Sequence, residues 1–259
     1  MHLSIETIRG NSEELRSALG REQNSSSAGN RRREVADRAV EGVLPFSHLG
    51  KHMTEVGRSD IDWSGSHHNH QEWRAQLNRF FQLSPLANAY ADTGEERYAE
   101  AARDYIEDWI RVHPSKPDWS LASYDNTLNL SIRMRQWFRN LPEFLDSPAF
   151  DEELVDSMLQ SAVCQLDFLS ENMASHMNWR IAHADSLMMN GMRLDGLKGS
   201  ERWREVGRRT LNDAFHRQVL PDGAHAERNP SYHSWMKRVF EKYWRLGRSR
   251  PELGLVMTA

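Results

Sequence analysis

Apolar residues recur every three or four positions from residue 72 to residue 246, and Gly or Pro interrupts the pattern at short intervals. This spacing places apolar side chains along one face of an α-helix. The clearest run on one face consists of Tyr98, Ala101, Ala102, Tyr105, Ile106, Trp109 and Ile110. Because no stretch alternates between apolar and polar residues for long enough to predict a strand, we expect an all-α protein of antiparallel helical hairpins.

Turn residues divide this pattern into separate predicted helices. They cover residues 72–91, 95–112, 128–144, 151–169, 177–192, 201–219 and 231–246. Before them, residues 12–22 predict another helix with a flexible connector after it, and residues 41–70 predict an extended, loop-like lead-in. We therefore expect a polar, partly flexible segment over residues 1–40 and a helical domain over residues 41–259.

Composition limits the possible partners. With 259 residues, 39% hydrophobic residues and nine Trp, the chain can bury a substantial core. The net charge of −4, with basic residues scattered among acidic ones, gives no general attraction for nucleic acid. No apolar run approaches the ~20 residues of a membrane span. The first residues lack the pattern of a signal peptide, so the sequence as written predicts no export, and the location stays unknown.

Two polar features do not predict a metal or a disulfide. His67, His68 and His70 lie close together, but no acidic or cysteine ligand is spaced beside them to complete a site. Cys164 is the only cysteine, and it lies in an apolar helical pattern that favours a buried thiol. We therefore expect neither a bound metal nor a cofactor.

Aromatic residues outside the helical pattern are candidates for sugar binding. Trp73, Trp109 and Trp137 have the spacing of core residues. Four others lie in predicted loops or at helix starts, where an aromatic face can stack on a sugar ring: Trp63, Trp119, Tyr124 and Trp179.

The most polar loop of the chain runs from Gln218 to His233, with the sequence QVLPDGAHAERNPSYH. It contains two turn signals, Pro221-Asp222-Gly223 and Pro230. The side chains that can share charge or a proton are His225, Glu227, Arg228, Tyr232 and His233. Loops held between helices often carry catalytic residues, which makes this loop the first candidate for a functional site.

A second polar cluster precedes the helix predicted from residue 177. It contains Asn172, His176, Asn178 and Arg180. The N-terminus of a helix has spare N–H groups and favours an anion, although Asn178 could equally be a capping residue. Combined with the Tyr232 loop, an amide, a phenol and several His and Arg side chains would suit a substrate that bears a carboxylate.

Four segments in this order also resemble a known family. They are DWSGSHHNHQEWRAQLNRFFQLSPLANAYADTGEERYAEAARDYIEDWI, LSIRMRQWF, HMNWRIAHADSLMMNG and QVLPDGAHAERNPSYH. Together they resemble the heparinase II/III-like polysaccharide lyases and the related alginate lyases over roughly residues 55–245. The resemblance implies an incomplete (α/α) toroid that holds an acidic polysaccharide and cleaves it beside a uronate by β-elimination.

The resemblance also implies roles for individual residues. Asn178 matches the asparagine that neutralises the uronate carboxylate, and Tyr232 matches the tyrosine that transfers a proton. His225, Arg228 and His233 are candidates to assist Tyr232, and Glu227 matches an acidic position that orients neighbouring groups or sugar hydroxyls. The remaining residues expected to bind the substrate are His176, Trp179, Arg180, Trp119 and Tyr124.

Members of this family usually carry a β-sandwich domain after the toroid, and we expect that domain to be absent from this sequence. Two other functions stay open. One is a toroid that binds glycans, or a truncated lyase, without catalysis. The other is an (α/α) glycoside hydrolase, which needs two carboxylates facing each other across a groove. The acids available for that pair are Asp125, Asp185 and Glu227.

Overall fold

A computed structural model describes residues 3–19, 29–46, 52–175 and 177–254. The helices in these residues are α1 (Ile5–Leu19), α2 (Gly29–Val40), α3 (Gln71–Asn78), α4 (Leu83–Thr93), α5 (Glu96–Val112), α6 (Thr127–Phe144), α7 (Glu152–Glu171), α8 (Met177–Arg193), α9 (Ser200–Gln218) and α10 (Pro230–Ser249). Two strands, β1 (Val43–Phe46) and β2 (His52–Glu55), and a 3-10 turn at Pro251–Leu253 complete the list. The predicted all-α class is confirmed.

The chain forms two compact units. One contains Gln23–Gln165, and the other contains Met1–Glu22 together with Leu166–Ala259. The domain boundary that we expect near residue 40 from the composition remains a prediction.

The described part of the predicted flexible connector is helical. Residues 29–40 form α2, in which Ala36 and Ala39 are fully buried and the Tyr105 hydroxyl donates to the Ala39 carbonyl oxygen over 2.9 Å. Arg33, from the arginine run, pairs with Glu95 over 2.6 Å. The small residues on one face of this helix are buried, and this packing stabilises the helix, while charged residues occupy its other face. The connector prediction was therefore wrong for these residues.

The lead-in at residues 41–70 contains a short hairpin that the sequence pattern missed. Strands β1 and β2 pair antiparallel, with Val43 opposite Glu55 and Phe46 opposite His52. The ring of Phe46, which is fully buried, packs edge-on against Trp73 with 5.4 Å between centroids. Strands of four residues are too short to give a clear period of two, which explains why the sequence predicted only a loop.

The helix predicted over residues 72–91 is broken into α3 and α4 at Phe80. This residue has a φ of 59°, in the left-handed region that non-glycine residues seldom adopt. Its buried ring stacks on Trp63 at 5.3 Å, and Trp63 donates from Nε1 to Asp108 over 2.9 Å. Because Trp63 is only 1% exposed, the interpretation of it as a sugar-stacking residue was wrong.

Two of the clustered histidines have structural partners. His68 Nε2 lies 2.8 Å from the Thr54 hydroxyl, and His70 Nδ1 caps α3 by accepting from the Glu72 backbone N–H. Among the described residues, no group of three or more His, Cys, Asp or Glu is arranged to hold a metal ion. Cys164 is half-buried, not fully buried as expected, and its Sγ donates to the Lys116 carbonyl oxygen over 3.6 Å. No helix within the described ranges has the length and apolarity needed to cross a membrane.

Helices α8 and α9 pack closely and antiparallel, and glycines make this approach possible. A Cβ on Gly191 would lie 2.6 Å from the Ser200 carbonyl oxygen, and a Cβ on Gly207 would lie 2.6 Å from that of Ala184. The hydrophobic core around them is rich in methionine, with Met188, Met189, Met192, Leu211, Met236, Phe240 and Tyr243 among its members. Glycine is thus required at both positions by the space between the helices.

Candidate functional site

The first turn of α8 is held by a carboxylate from a distant loop. Glu227 accepts from the backbone N–H of Asn178 through Oε1 and from the Asn178 side-chain Nδ2 through Oε2, each over 2.9 Å. Met177, immediately before, has a φ of 63°. The side chain of Asn178 therefore donates to Glu227 through Nδ2.

The site loop, residues 219–229, begins as a tight hairpin. Val219 and His225 form an antiparallel bridge, the Leu220 N–H donates to the Ala224 carbonyl over 2.8 Å, and Gly223 has a φ of 81°. The Ala224 N–H also donates to the Asp222 side chain over 2.9 Å. The turn predicted from Pro221-Asp222-Gly223 is confirmed, and it brings residues on either side of it face to face.

Across this hairpin, His225 and Gln218 are hydrogen-bonded to each other. The amide oxygen Oε1 of Gln218 accepts over 3.0 Å from His225 Nε2, which must carry the proton because an amide oxygen cannot donate. Gln218 Nε2 in turn donates to the Met177 carbonyl over 3.4 Å. The pKa of His225 lies below its ordinary value, mainly because the ring is buried. The charge of Glu227 opposes this shift, and His233 adds to it. Since His225 is fully buried, the prediction that it contacts substrate does not fit the structure.

The end of the site loop starts α10 and presents Tyr232. Asn229 caps the helix, its Oδ1 accepting from the N–H groups of Ser231 and Tyr232 over 2.9 Å and 3.2 Å, and Pro230 follows at the first helical position. Arg228 is exposed with a φ of 52°. Tyr232 is 42% exposed. The cap therefore places the phenol at a helix N-terminus, and His233 follows it with a half-buried ring.

The other residues predicted at the start of α8 divide into exposed and structural ones. Trp179 is 41% exposed, next to Asn178. Arg180 donates from Nη1 to the Ala174 carbonyl over 3.0 Å, and His183 Nδ1 accepts from the Ala174 N–H over 3.1 Å. Burial, reinforced by Arg180, lowers the pKa of His183 to about 4. His176 lies outside the described residues.

The predicted sugar-binding residues Trp119 and Tyr124 belong to the other compact unit. Both are half-buried. His113 Nδ1 lies 2.9 Å from the Trp109 carbonyl, so its Nδ1 carries the proton and its Nε2 accepts from the Tyr124 hydroxyl over 2.5 Å. Burial raises the pKa of Tyr124 to about 12. Its phenol can consequently only accept a further hydrogen bond.

The acids proposed for a glycoside hydrolase are engaged in structural contacts. Asp125 pairs with Arg133 over 3.0 Å, with both side chains buried. Asp185 is 1% exposed, pairs with Lys242 and accepts from the Tyr243 hydroxyl over 2.7 Å. Glu227 holds Asn178. None of these contacts forms the pair of opposed carboxylates that hydrolysis requires, which weakens that alternative.

Sequence reasoning missed the part played by Gln218. It was included in the polar loop but given no role, because a glutamine at the end of a helix has no distinctive spacing. Pairing residues across the Pro221-Asp222-Gly223 turn would have placed Gln218 near His225, and that is the signal that could have found it.

Comparison with known proteins identifies relatives of this chain. The family model described as Heparinase II/III N-terminus matches residues 9–251. A heparin-sulfate lyase of Pedobacter heparinus is 32% identical over 217 residues, which are 81% of this chain and 32% of that protein. A heparin-sulfate lyase of Bacteroides stercoris is 26% identical over 228 residues, covering 81% of this chain and 34% of the relative. The chain thus spans about a third of the length of these relatives.

Solved structures give the same result. The crystal structure of heparan sulfate lyase HepC from Pedobacter heparinus matches with a TM-score of 0.77 and 27% identity, covering 95% of this chain and 40% of that one. A heparinase III structure matches with a TM-score of 0.76 at 23% identity, over 92% of this chain and 37% of that one, which supports the fold alone. The resemblance predicted from the motifs is confirmed, and the chain belongs to the heparinase II/III N-terminus family.

Proposed function

We propose that this chain carries the helical part of a polysaccharide lyase that cleaves acidic, uronate-containing polysaccharide by β-elimination. Membership of the family and the heparin-sulfate lyases among its relatives support the class of reaction. The observation that carries the proposal is that one loop serves both key residues. Glu227 of the site loop holds Asn178, and Asn229 of the same loop caps the helix that presents Tyr232.

The difficult step of this reaction is removal of the proton from C5 of the uronate, next to a carboxylate. The electron pair left at C5 forms the C4–C5 double bond as the bond from C4 to the glycosidic oxygen breaks, and that oxygen leaves with a proton. A negative carboxylate opposes the build-up of charge at C5 unless hydrogen-bond donors neutralise it. Asn178 has one side-chain N–H that Glu227 does not use, and we assign it to the substrate carboxylate.

Tyr232 is proposed to transfer the proton. A phenol can both accept and donate a proton, and the exposed ring of Tyr232 is accessible to a bound polymer. The exposed Trp179, next to Asn178, offers a face for a sugar ring. The exposed Arg228 supplies a positive charge for the polyanion. Sugar contacts by Trp119, Tyr124, Arg180 and His233 remain proposals.

The decisive experiment measures the new double bond directly. The chain is incubated with heparan sulfate, chondroitin and alginate, and the absorbance of the unsaturated uronate is followed in the ultraviolet. We expect absorbance to rise with at least one polymer. Binding without absorbance would instead support a glycan-binding protein, and new reducing ends without absorbance would support hydrolysis.

The variant Asn178→Ala tests the role of the amide. Loss of one donor to the developing charge is expected to lower the rate about a hundredfold, by analogy with other donors of this kind. Asn172→Ala is a matched control, because this nearby asparagine is exposed and its side chain donates to the Phe168 carbonyl of the preceding helix, α7. Equal rates for Asn178→Ala and the parent would reject Asn178 as the neutralising group.

A further inference from the structure

The Asn178 amide is held by a carboxylate that also holds its backbone. Glu227 Oε1 accepts from the backbone N–H and Oε2 from Nδ2, so two parallel bonds join one carboxylate to one residue. An ionised carboxylate can accept but cannot donate, so the nitrogen end of the amide must face Glu227. We propose that Glu227 is a positioning residue that fixes the orientation of the Asn178 amide and leaves one N–H for the substrate carboxylate, an inference that rests on the proposed function of Asn178.

The backbone before Asn178 supports this role. Met177 has a φ of 63°, although it is not glycine, and its side chain is 41% exposed. A left-handed conformation in such a residue persists only where the surroundings impose it. The two bonds from Glu227 to the next residue are contacts of that kind, since a charge-assisted hydrogen bond is stronger than a neutral one.

A second connection keeps the site loop in place. Gln218 Nε2 donates to the Met177 carbonyl, and Gln218 Oε1 accepts from the fully buried His225. Two successive residues are therefore held, Met177 by Gln218 at the end of α9 and Asn178 by Glu227 of the site loop. Such a double attachment limits rotation at the start of α8, which is what a precisely placed donor requires.

The contacts also distinguish positioning from proton transfer. Both oxygens of Glu227 accept hydrogen bonds from Asn178, and the side chain is only partly exposed. A general base must reach the proton that it removes, and here the carboxylate faces the amide. Glu227 thus acts on the substrate through Asn178.

The variant Glu227→Gln provides a sharp test because it keeps the shape of the side chain. Glutamine Oε1 can still accept from the backbone N–H of Asn178, but its Nε2 is a donor and would face the donor Nδ2. The Asn178 amide is therefore expected to rotate by about half a turn, so that its oxygen faces Gln and its N–H groups leave their original place. We expect turnover to fall about a hundredfold, as for a lost donor, while the melting temperature stays within a few degrees.

Two controls separate orientation from charge and from folding. Asp222→Asn removes one negative charge from the same loop but keeps the oxygen that accepts from the Ala224 N–H, so it should retain the parent rate. The double variant Asn178→Asp with Glu227→Gln again places a hydrogen-bond donor opposite an acceptor, because the new amide at position 227 can donate to the new carboxylate at position 178. It should keep a melting temperature close to that of the parent but should not recover turnover, because residue 178 then has no side-chain N–H for the substrate.

Nuclear magnetic resonance of the asparagine side-chain amides provides a measure that does not depend on activity. In the parent, one Nδ2 proton of Asn178 should exchange slowly with water, and in Glu227→Gln its signals should shift. Unchanged signals together with an unchanged rate would overturn the inference, and so would recovery of turnover in the double variant. If the parent cleaves no uronate polymer, the proposed function fails, whereas the amide signals still decide whether Glu227 orients Asn178.

Discussion

Two irregular segments of this protein have similar sequences but different structural roles. The Trp63 segment, residues 57–70, and the site loop, residues 219–229, are both polar, rich in turn residues and adjacent to helices. In the first, hydrogen bonds to Asp62 and to Asp108 of α5 hold the backbone of the segment in place, and the aromatic residue, Trp63, is buried. In the second, a carboxylate reaches another helix, and the next aromatic residue, Tyr232, is exposed. An aromatic residue near a loop therefore indicates function only when its surroundings leave it outside the core.

Two carboxylates hold the Trp63 segment by hydrogen bonds, Asp62 of the segment itself and Asp108 of α5. Asp62 accepts from the backbone N–H groups of Ser64 and Ser66, each over 3.0 Å, and from both of their hydroxyls. Asp108 accepts from the Asp60 N–H over 2.8 Å and from the Trp63 indole over 2.9 Å. Asp62 and Asp108 thus stabilise a turn, whereas Glu227 binds the residue that is proposed to contact the substrate.

The largest effect is expected for Tyr232→Phe. The change removes the hydroxyl and keeps the ring, so turnover should fall by about 10²–10⁴-fold, the range for loss of a general acid or base. Binding of the polymer and the melting temperature should hardly change, since the ring is half exposed. The formation of unsaturated uronate measures the rate. Full activity on a substrate that the parent cleaves would show that another group transfers the proton.

Replacing one tryptophan in each region tests the comparison directly. Trp63→Ala should lower the free energy of unfolding by about 3–5 kcal/mol, because it removes a buried aromatic side chain that is stacked on Phe80. Trp179→Ala should change it by less than about 1 kcal/mol, since that ring is 41% exposed, but should weaken polymer binding. Urea unfolding and a binding titration provide the two measurements. Equal losses of stability would contradict the distinction.

Acidification should affect the unit with the site loop through His183. Its pKa is about 4 in the folded protein, against 6.5 as the ordinary value, because it is buried. The unfolded chain therefore binds a proton first as the pH falls, and stability is lost between about pH 6.5 and about pH 4, by at most about 3 kcal/mol. Urea unfolding at several pH values measures this loss, which His183→Gln should abolish.

The smallest effect is expected for Asp62, in the other unit. Hydrogen bonds from the hydroxyls of Ser64 and Ser66 lower its pKa from 3.8 to about 2. The stability that it contributes is present above pH 3.8 and is lost as the pH falls towards 2. Because the residue is only partly buried and solvent screens its charge, we expect only about 1 kcal/mol. Asp62→Asn should remove this pH dependence in urea unfolding, and an unchanged profile would show that the bonds carry no net stability.

The sequence predicted the helices well where apolar residues repeat over several turns. It failed where one residue decides the geometry. The break at Phe80 depends on a left-handed backbone that no periodicity reveals, and the burial of Trp63 depends on Asp108, which is distant along the chain. Within the site, turn chemistry and family motifs predicted the loop and its polar residues. The pairing of Glu227 with Asn178 could not be predicted, because it depends on how the loop folds back on α8.

Helices α8 and α9 contact each other closely at two glycines, so a small change in the angle between them is amplified along α8 towards Asn178. Gly191 lies roughly 20 Å along α8 from Asn178, at ~1.5 Å per residue. An added methyl group at Gly191 or Gly207 would push against backbone atoms of the other helix, and a tilt of about 3° would move the far end of α8 by about 1 Å. A displacement of that size can cost about a hundredfold in rate. The accuracy of the proposed catalytic centre is therefore set partly by two residues that have no side chain and never meet the polymer.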